Sequence, residues 1–221
     1  MDSTIENQEN VHEEVGYPPL RVLGNIVSVL FHPLFIPLYV TAFLLYWHPT
    51  YFAGFNGQQK IRIMATIAVN LFLLPAVTVF LLWRLKFSNS IQLKTQKERI
   101  IPYAATMFFS FWAWNVFRNL SFSPETYNDF LLGVFITVII GWMANIWFKI
   151  SMHALGVGGM LFFVILVALS GEGSSGQYIA TAVAITGLTL SARLISSDHT
   201  GFELYGGLLL GAAAQYIATI V

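Results

Sequence analysis

The chain has 221 residues, 56% hydrophobic and 10% charged, against roughly a quarter charged in an average soluble domain, and its mean hydropathy is +0.67. Its 11 basic and 11 acidic residues cancel, which removes the cationic excess that nucleic-acid binding requires. The lack of cysteine excludes disulfides, thiolate nucleophiles and cysteine metal sites. The partners this composition predicts are membrane lipids, with no nucleic acid.

Residues 1–20 carry Asp2, Glu6, Glu9, Glu13 and Glu14 without the basic start and cleavage site of a secretory signal, and they read as a mobile acidic tail. The remainder, 21–221, reads as a single transmembrane helical domain. A helix needs about 20 mostly apolar residues to cross a bilayer core of about 30 Å. Spans are expected near 24–47, 61–85, 101–120, 130–148, 151–169, 177–195 and 201–221. In the first, Pro33 and Pro37 should bend the helix and His32 should bond to a carbonyl they free. The glycines and serines of 171–176 favour a turn at a membrane surface. Between the last two spans, Ser197 or Asp198 is positioned to cap a helix beginning at His199. The longest polar stretch after the tail is about 87–99, which leaves no room for a soluble domain. The fold class is therefore all-α: a polytopic bundle of about six to seven membrane helices, each satisfying its own backbone hydrogen bonds.

Counting crossings from the tail returns the 87–99 loop, the junction at Lys149 to His153 and the turn from Arg193 to Glu203 to one side. That side holds Arg84, Lys86, Lys94, Lys97, Arg99, Lys149 and Arg193; the positive-inside rule would make it cytoplasmic, whereas cations serving as ligands for an anionic substrate would report chemistry and not topology. The expected location is integral and multi-pass, in an inner or plasma membrane.

The same side gathers the residues able to do chemistry. His199 and Glu203 are four apart, so on the first turns of a helix they share a face and can hydrogen-bond. A carboxylate on one ring nitrogen fixes the imidazole tautomer and leaves the other nitrogen to attack or to pass a proton. Ser151 and His153 add a hydroxyl and a second imidazole. Arg193 and Arg99, with Lys94 or Lys97, supply the fixed positive charge that phosphoryl oxygens require. A metal site built on His153, His199 and Glu203 is disfavoured by the arginine beside them.

These motifs resemble those of the type 2 phosphatidic acid phosphatase family, in its divergent bacterial-type membrane form. The family's third motif is matched by Arg193, five residues, His199, three residues and Glu203, followed by Gly206 and Gly207. Here glutamate replaces the family's aspartate, and Ala192 separates Ser191 from Arg193. Its second motif is matched by Ser151 and His153, with Ile150 and Met152 in place of proline and glycine. Its first is matched loosely by Arg99 and Pro102, with Gln92 where the family has lysine, so that Lys94 or Lys97 must substitute. The resemblance covers about the half of the chain from Lys94 onward, and two apparent helices intervene between its first and second motifs.

The resemblance implies a lipid phosphatase or phosphotransferase acting on a lipid phosphate monoester or prenyl pyrophosphate, without metal or other cofactor. His199 would be the nucleophile, Glu203 its orienting partner and His153 the acid that protonates the leaving alkoxide. Arg193, Arg99, Ser151 and Lys94 would bind the phosphoryl oxygens. A catalytically inactive protein of the same fold that binds phospholipid headgroups is the alternative. A prenyl transferase is disfavoured because the chain has only Asp2, Asp129 and Asp198 for an aspartate-rich metal site.

Overall fold

The computed structural model describes residues 18–48, 50–87, 97–148, 150–171, 175–196 and 199–221, all of them helix, turn or irregular connection. Lys94, Lys149, Ser197 and Asp198 lie outside these residues, as does all of the expected acidic tail before Pro18. The tail's last residues, 18–20, belong to the first helix.

Where one bent first span was expected, two helices form: α1 (Pro18–Leu30) and α2 (Ile36–Ala42), the latter continuing as a π-helical turn, Phe43–Trp47. Pro33 disfavours helical backbone at His32 and lacks an amide hydrogen of its own, and with Pro37 close behind the chain breaks instead of bending. The break closes on itself. The His32 carbonyl accepts from the Phe35 amide at 2.8 Å, and His32 Nδ1 accepts from the Leu34 amide at 3.3 Å. The ring thus bonds an amide N–H, not the carbonyl expected from sequence.

The second expected span is a continuous rod: α3 (Gly57–Ile67), a π-helical stretch Ala68–Leu73, and α4 (Leu74–Arg84). Asn56 opens it with a capping box, exchanging 2.9 Å hydrogen bonds with Gln59. The π-stretch falls immediately before Pro75, whose ring has no N–H to give to the preceding turn. The rod ends on Lys86, at φ 63°, with the Phe87 amide reaching back to Leu82 and the Lys86 amide to Trp83. That pattern is a Schellman stop with lysine where glycine is usual.

A short 3-10 turn, Lys97–Arg99, leads into α5 (Ile100–Arg118), followed by α6 (Glu125–Trp147), α7 (Met152–Leu169), α8 (Ser175–Ile195) and α9 (Gly201–Ala218). Short connections make consecutive members of this series antiparallel, so α7 and α9 run the same way. Five described helices are long and apolar enough to cross a membrane: Gly57–Arg84, Lys97–Arg118, Glu125–Trp147, Met152–Leu169 and Gly176–Ile195. The two pieces of the first expected span are each shorter than a bilayer requires. α9 is diluted by glycine, alanine, Glu203 and Gln215.

The centre of the bundle is the α7–α9 pair, and glycine brings it together. A Cβ on Gly158 would collide with the Leu208 carbonyl, and one on Gly211 with the Leu155 carbonyl. Gly207 stands against the Ser151 carbonyl and the Ala154 Cβ, 3.0 Å from each position a side chain would need. Where lipid is as apolar as leucine, such close backbone approach is what holds two helices together. α6 seats on α9 the same way, its Gly133 making room for the buried side chain of Gln215. Around this pair, Tyr127, Phe130, Phe163, Phe117 and Phe52 fill the interior.

Candidate active site

α5, α7 and α9 begin, and α6 and α8 end, at the same end of the bundle, and that end carries the residues singled out by sequence. Arg99 opens α5, Ser151 and His153 open α7, Arg193 closes α8, and His199 and Glu203 open α9.

The helix start at α9 is built on Thr200, not on Ser197 or Asp198 as expected. Thr200 and Glu203 form a capping box: the Thr200 hydroxyl accepts from the Glu203 amide at 3.3 Å, and Glu203 Oε2 accepts from the Thr200 amide at 3.2 Å. The same Oε2 lies 2.8 Å from His199 Nδ1. Helix geometry therefore aims the carboxylate twice. With Nδ1 engaged as N–H donor, the ring's second nitrogen is Nε2. The His199 side chain is 6% exposed and that of Glu203 20%, so the pair sits within the protein at the bundle's end.

The α7 start is locked to the α9 start. The Ser151 amide donates to the Glu203 carbonyl at 3.3 Å, while the Ser151 hydroxyl accepts from the Ala154 amide at 3.4 Å. Ser151 is fully buried, so its hydroxyl serves as the N-cap of α7 and its backbone as the tie to α9. His153, two residues on, places Nε2 2.9 Å from the Ser28 carbonyl of α1. A carbonyl accepts only, so Nε2 carries the hydrogen and Nδ1 is the nitrogen left for proton exchange. The His32 ring meets His153 edge to face, centroids 5.3 Å apart.

Arg193 Nη1 donates to the Ser28 hydroxyl at 3.4 Å, so Ser28 touches Arg193 with its side chain and His153 with its backbone. Arg193, His32 and His199 all lie within electrostatic reach of His153. Next to them, the Ser196 hydroxyl meets Asn25 Oδ1 at 3.3 Å, and Gly24 lets α1 approach the Ala192 carbonyl. Four elements thus converge: α1, α7, the end of α8 and the start of α9. Arg99 is buried at the start of α5, where its charge acts on Tyr103, one turn further along. Lys94 lies outside the described residues.

Ser28, His32 and Thr200 were not singled out as site residues by sequence. Thr200 had a readable signal, a threonine three residues before Glu203 at the head of an apolar run. His32 had another, its place before proline in an otherwise apolar span. Nothing in the sequence marks Ser28.

Chemically, the arrangement offers an oriented imidazole, a second imidazole with one nitrogen for proton transfer, and a guanidinium within electrostatic reach of the second. The positive ends of α7 and α9 point the same way and favour an anion. Among the described residues, no three of His, Asp and Glu group closely enough to hold a metal ion. No protein-family model, curated protein or solved structure matches the chain.

Proposed function

We propose that the chain is an integral, multi-pass membrane enzyme of an inner or plasma membrane, with six to seven crossings. It hydrolyses a lipid phosphate monoester or a prenyl pyrophosphate through a phosphohistidine, as its resemblance to the type 2 phosphatidic acid phosphatases implies. The observation that carries this reading is the 2.8 Å contact of His199 Nδ1 with Glu203 in an apolar bundle, beside Arg193 and a second histidine. Ionisable groups at such depth carry function by default.

In the proposed reaction His199 Nε2 attacks phosphorus and the bond from phosphorus to the leaving oxygen breaks, while Glu203 holds the imidazolium that forms. His153, its own hydrogen held at Nε2 by the Ser28 carbonyl, takes up at Nδ1 the proton that a phosphate monoanion brings and passes it to the leaving alkoxide, then takes one from the water that attacks the phosphohistidine. Arg193, with Arg99 and Lys94, bears the charge on the phosphoryl oxygens, and Ser151 fixes the α7 start relative to α9. The test is phosphate release from phosphatidic acid and prenyl pyrophosphates by detergent-purified protein with chelator present, together with trapping of an acid-labile phosphoryl group on His199. Turnover that chelator abolishes overturns the reading.

A second reading has its own observation: the His153 Nε2 hydrogen is spent on the Ser28 carbonyl and the Ser151 hydroxyl on capping α7. Those are structural uses, and they favour a protein that binds phospholipid headgroups without cleaving them. Folded protein that binds phosphatidic acid and turns over none of the panel would decide for it.

A further inference from the structure

At the other end of the bundle, α7 and α9 finish side by side against the start of α6. A cavity of about 170 Å³ opens there, lined by Tyr51, Thr126, Asp129, Ser170 and Thr219 over a floor of Phe163 and Leu166. Two of its hydroxyls, at the ends of α7 and α9, share one property. Ser170 is the C-cap of α7 and donates its hydroxyl hydrogen to the Val167 carbonyl at 2.7 Å. Thr219 is the C-cap of α9 and donates its own to the Tyr216 carbonyl, also at 2.7 Å. Both hydroxyls therefore have only lone pairs left to present. Asp129 adds a carboxylate to which no described residue donates a hydrogen bond or ion pair, with Glu125 one helical turn away. The negative ends of two parallel helix dipoles point at the same place.

A half-open pocket with a carboxylate, two hydroxyl lone pairs and two helix C-termini on its walls favours a cation. Its size and walls narrow the kind. A water's share of liquid volume is about 30 Å³, so the space far exceeds a bare metal ion. Phe163, Leu166 and the Tyr51 ring offer apolar contact, and an aromatic ring attracts an organic cation through its negative face. The position of Asp129 is fixed from behind, since Gln215 Nε2 donates to its backbone carbonyl at 3.2 Å from the pocket that Gly133 leaves open.

We propose that this cavity is a binding site for a small organic ammonium group, an amine or a quaternary ammonium, delivered by a lipid headgroup or by a free amine. The site shares no residue with the histidine cluster and does not rest on the phosphatase reading.

The test is calorimetric titration of the full-length, detergent-purified protein with tetramethylammonium chloride, against sodium chloride at matched ionic strength. Saturable binding is expected for tetramethylammonium alone, weakened at least tenfold by Asp129→Asn and severalfold by Tyr51→Leu and Thr219→Val. Absence of binding, or equal affinity in Asp129→Asn with an unchanged thermal midpoint, overturns the proposal. Should Asp129→Asn fail to fold, unchanged affinity in both other variants overturns it equally. Repeating the titration in nanodiscs separates the two sources. Apparent affinity that falls in phosphatidylcholine relative to phosphatidylglycerol assigns the site to a headgroup, and equal affinity assigns it to a free amine.

Discussion

The two ends of the α7–α9 pair are chemical opposites made from one arrangement. At the first, both helices begin, and the residues gathered there are two histidines, an arginine and a carboxylate spent on orienting one of them. At the second, both helices end, around a carboxylate and two hydroxyl oxygens. Parallel helices align their dipoles, so the same pairing favours an anion at one end and a cation at the other. In an antiparallel pair each end would mix the two signs. The polarity of the molecule thus follows from topology: α8 crosses back between α7 and α9 so that they can run together.

The largest expected effect separates the ends. His199→Ala should lower phosphate release from phosphatidic acid by about 10³-fold or more, the size of a lost proton-transfer or nucleophilic group. Tetramethylammonium binding should stay unchanged, and a parallel loss of both would mean the variant had unfolded instead. Gly211→Val attacks the shared spine. Its side chain must displace the Leu155 carbonyl, at a cost of about 3 kcal/mol, read as a fall in thermal midpoint that weakens both ends together. Glu203→Gln is finer. The amide can still serve the capping box, so the midpoint should hold while phosphate release drops about 100-fold through a misaligned imidazole. Smallest is Lys86→Gly, which relieves left-handed backbone at the close of α4, at a residue that belongs to neither site. It should raise unfolding stability by about 0.5–1 kcal/mol, measured by thermal midpoint, with neither binding nor turnover altered.

How much of this was legible depended on sequence distance. The His199–Glu203 contact spans four residues on a helix and could be read from periodicity, and so could the location of six of the seven expected helical segments. The capping box from Thr200 is equally local, but Ser197 and Asp198, stronger helix-capping types just before it, compete with it in the sequence. Gly207 and Gly211 sit four apart in an apolar helix, a readable packing signal, but their partners Ser151 and Leu155 are set by how α7 docks. The first span departs from the expected bend because the local hydrogen bonds around its proline pair complete a break. The meeting of Ser28 with Arg193 joins residues 165 apart, and no local pattern encodes it. The surroundings of Asp129 are equally non-local. Its meaning comes from the ends of α7 and α9, which only the assembled bundle brings to it.

The contact of backbone on backbone at Gly158 and Gly211 also decides which wall of the histidine cluster is able to give way. Helices already touching cannot close further, and any opening forfeits the contact that joins them, so the spacing between the α7 and α9 starts is fixed like the frame of a door. α1 is hung differently. It turns Gly24 and Ser28 inward and leaves Leu20, Leu23, Ile26, Val29 and Leu30 exposed. Hydrogen bonds of 3.3 and 3.4 Å from Ser196 and Arg193 fasten it to α8 and its close, and a 2.9 Å bond from His153 Nε2 to the Ser28 carbonyl fastens it to α7. Swinging it outward moves apolar side chains through apolar surroundings, with little change in solvation. The histidine cluster is thus bounded on one side by two helices in backbone contact and on the other by a helix held through hydrogen bonds.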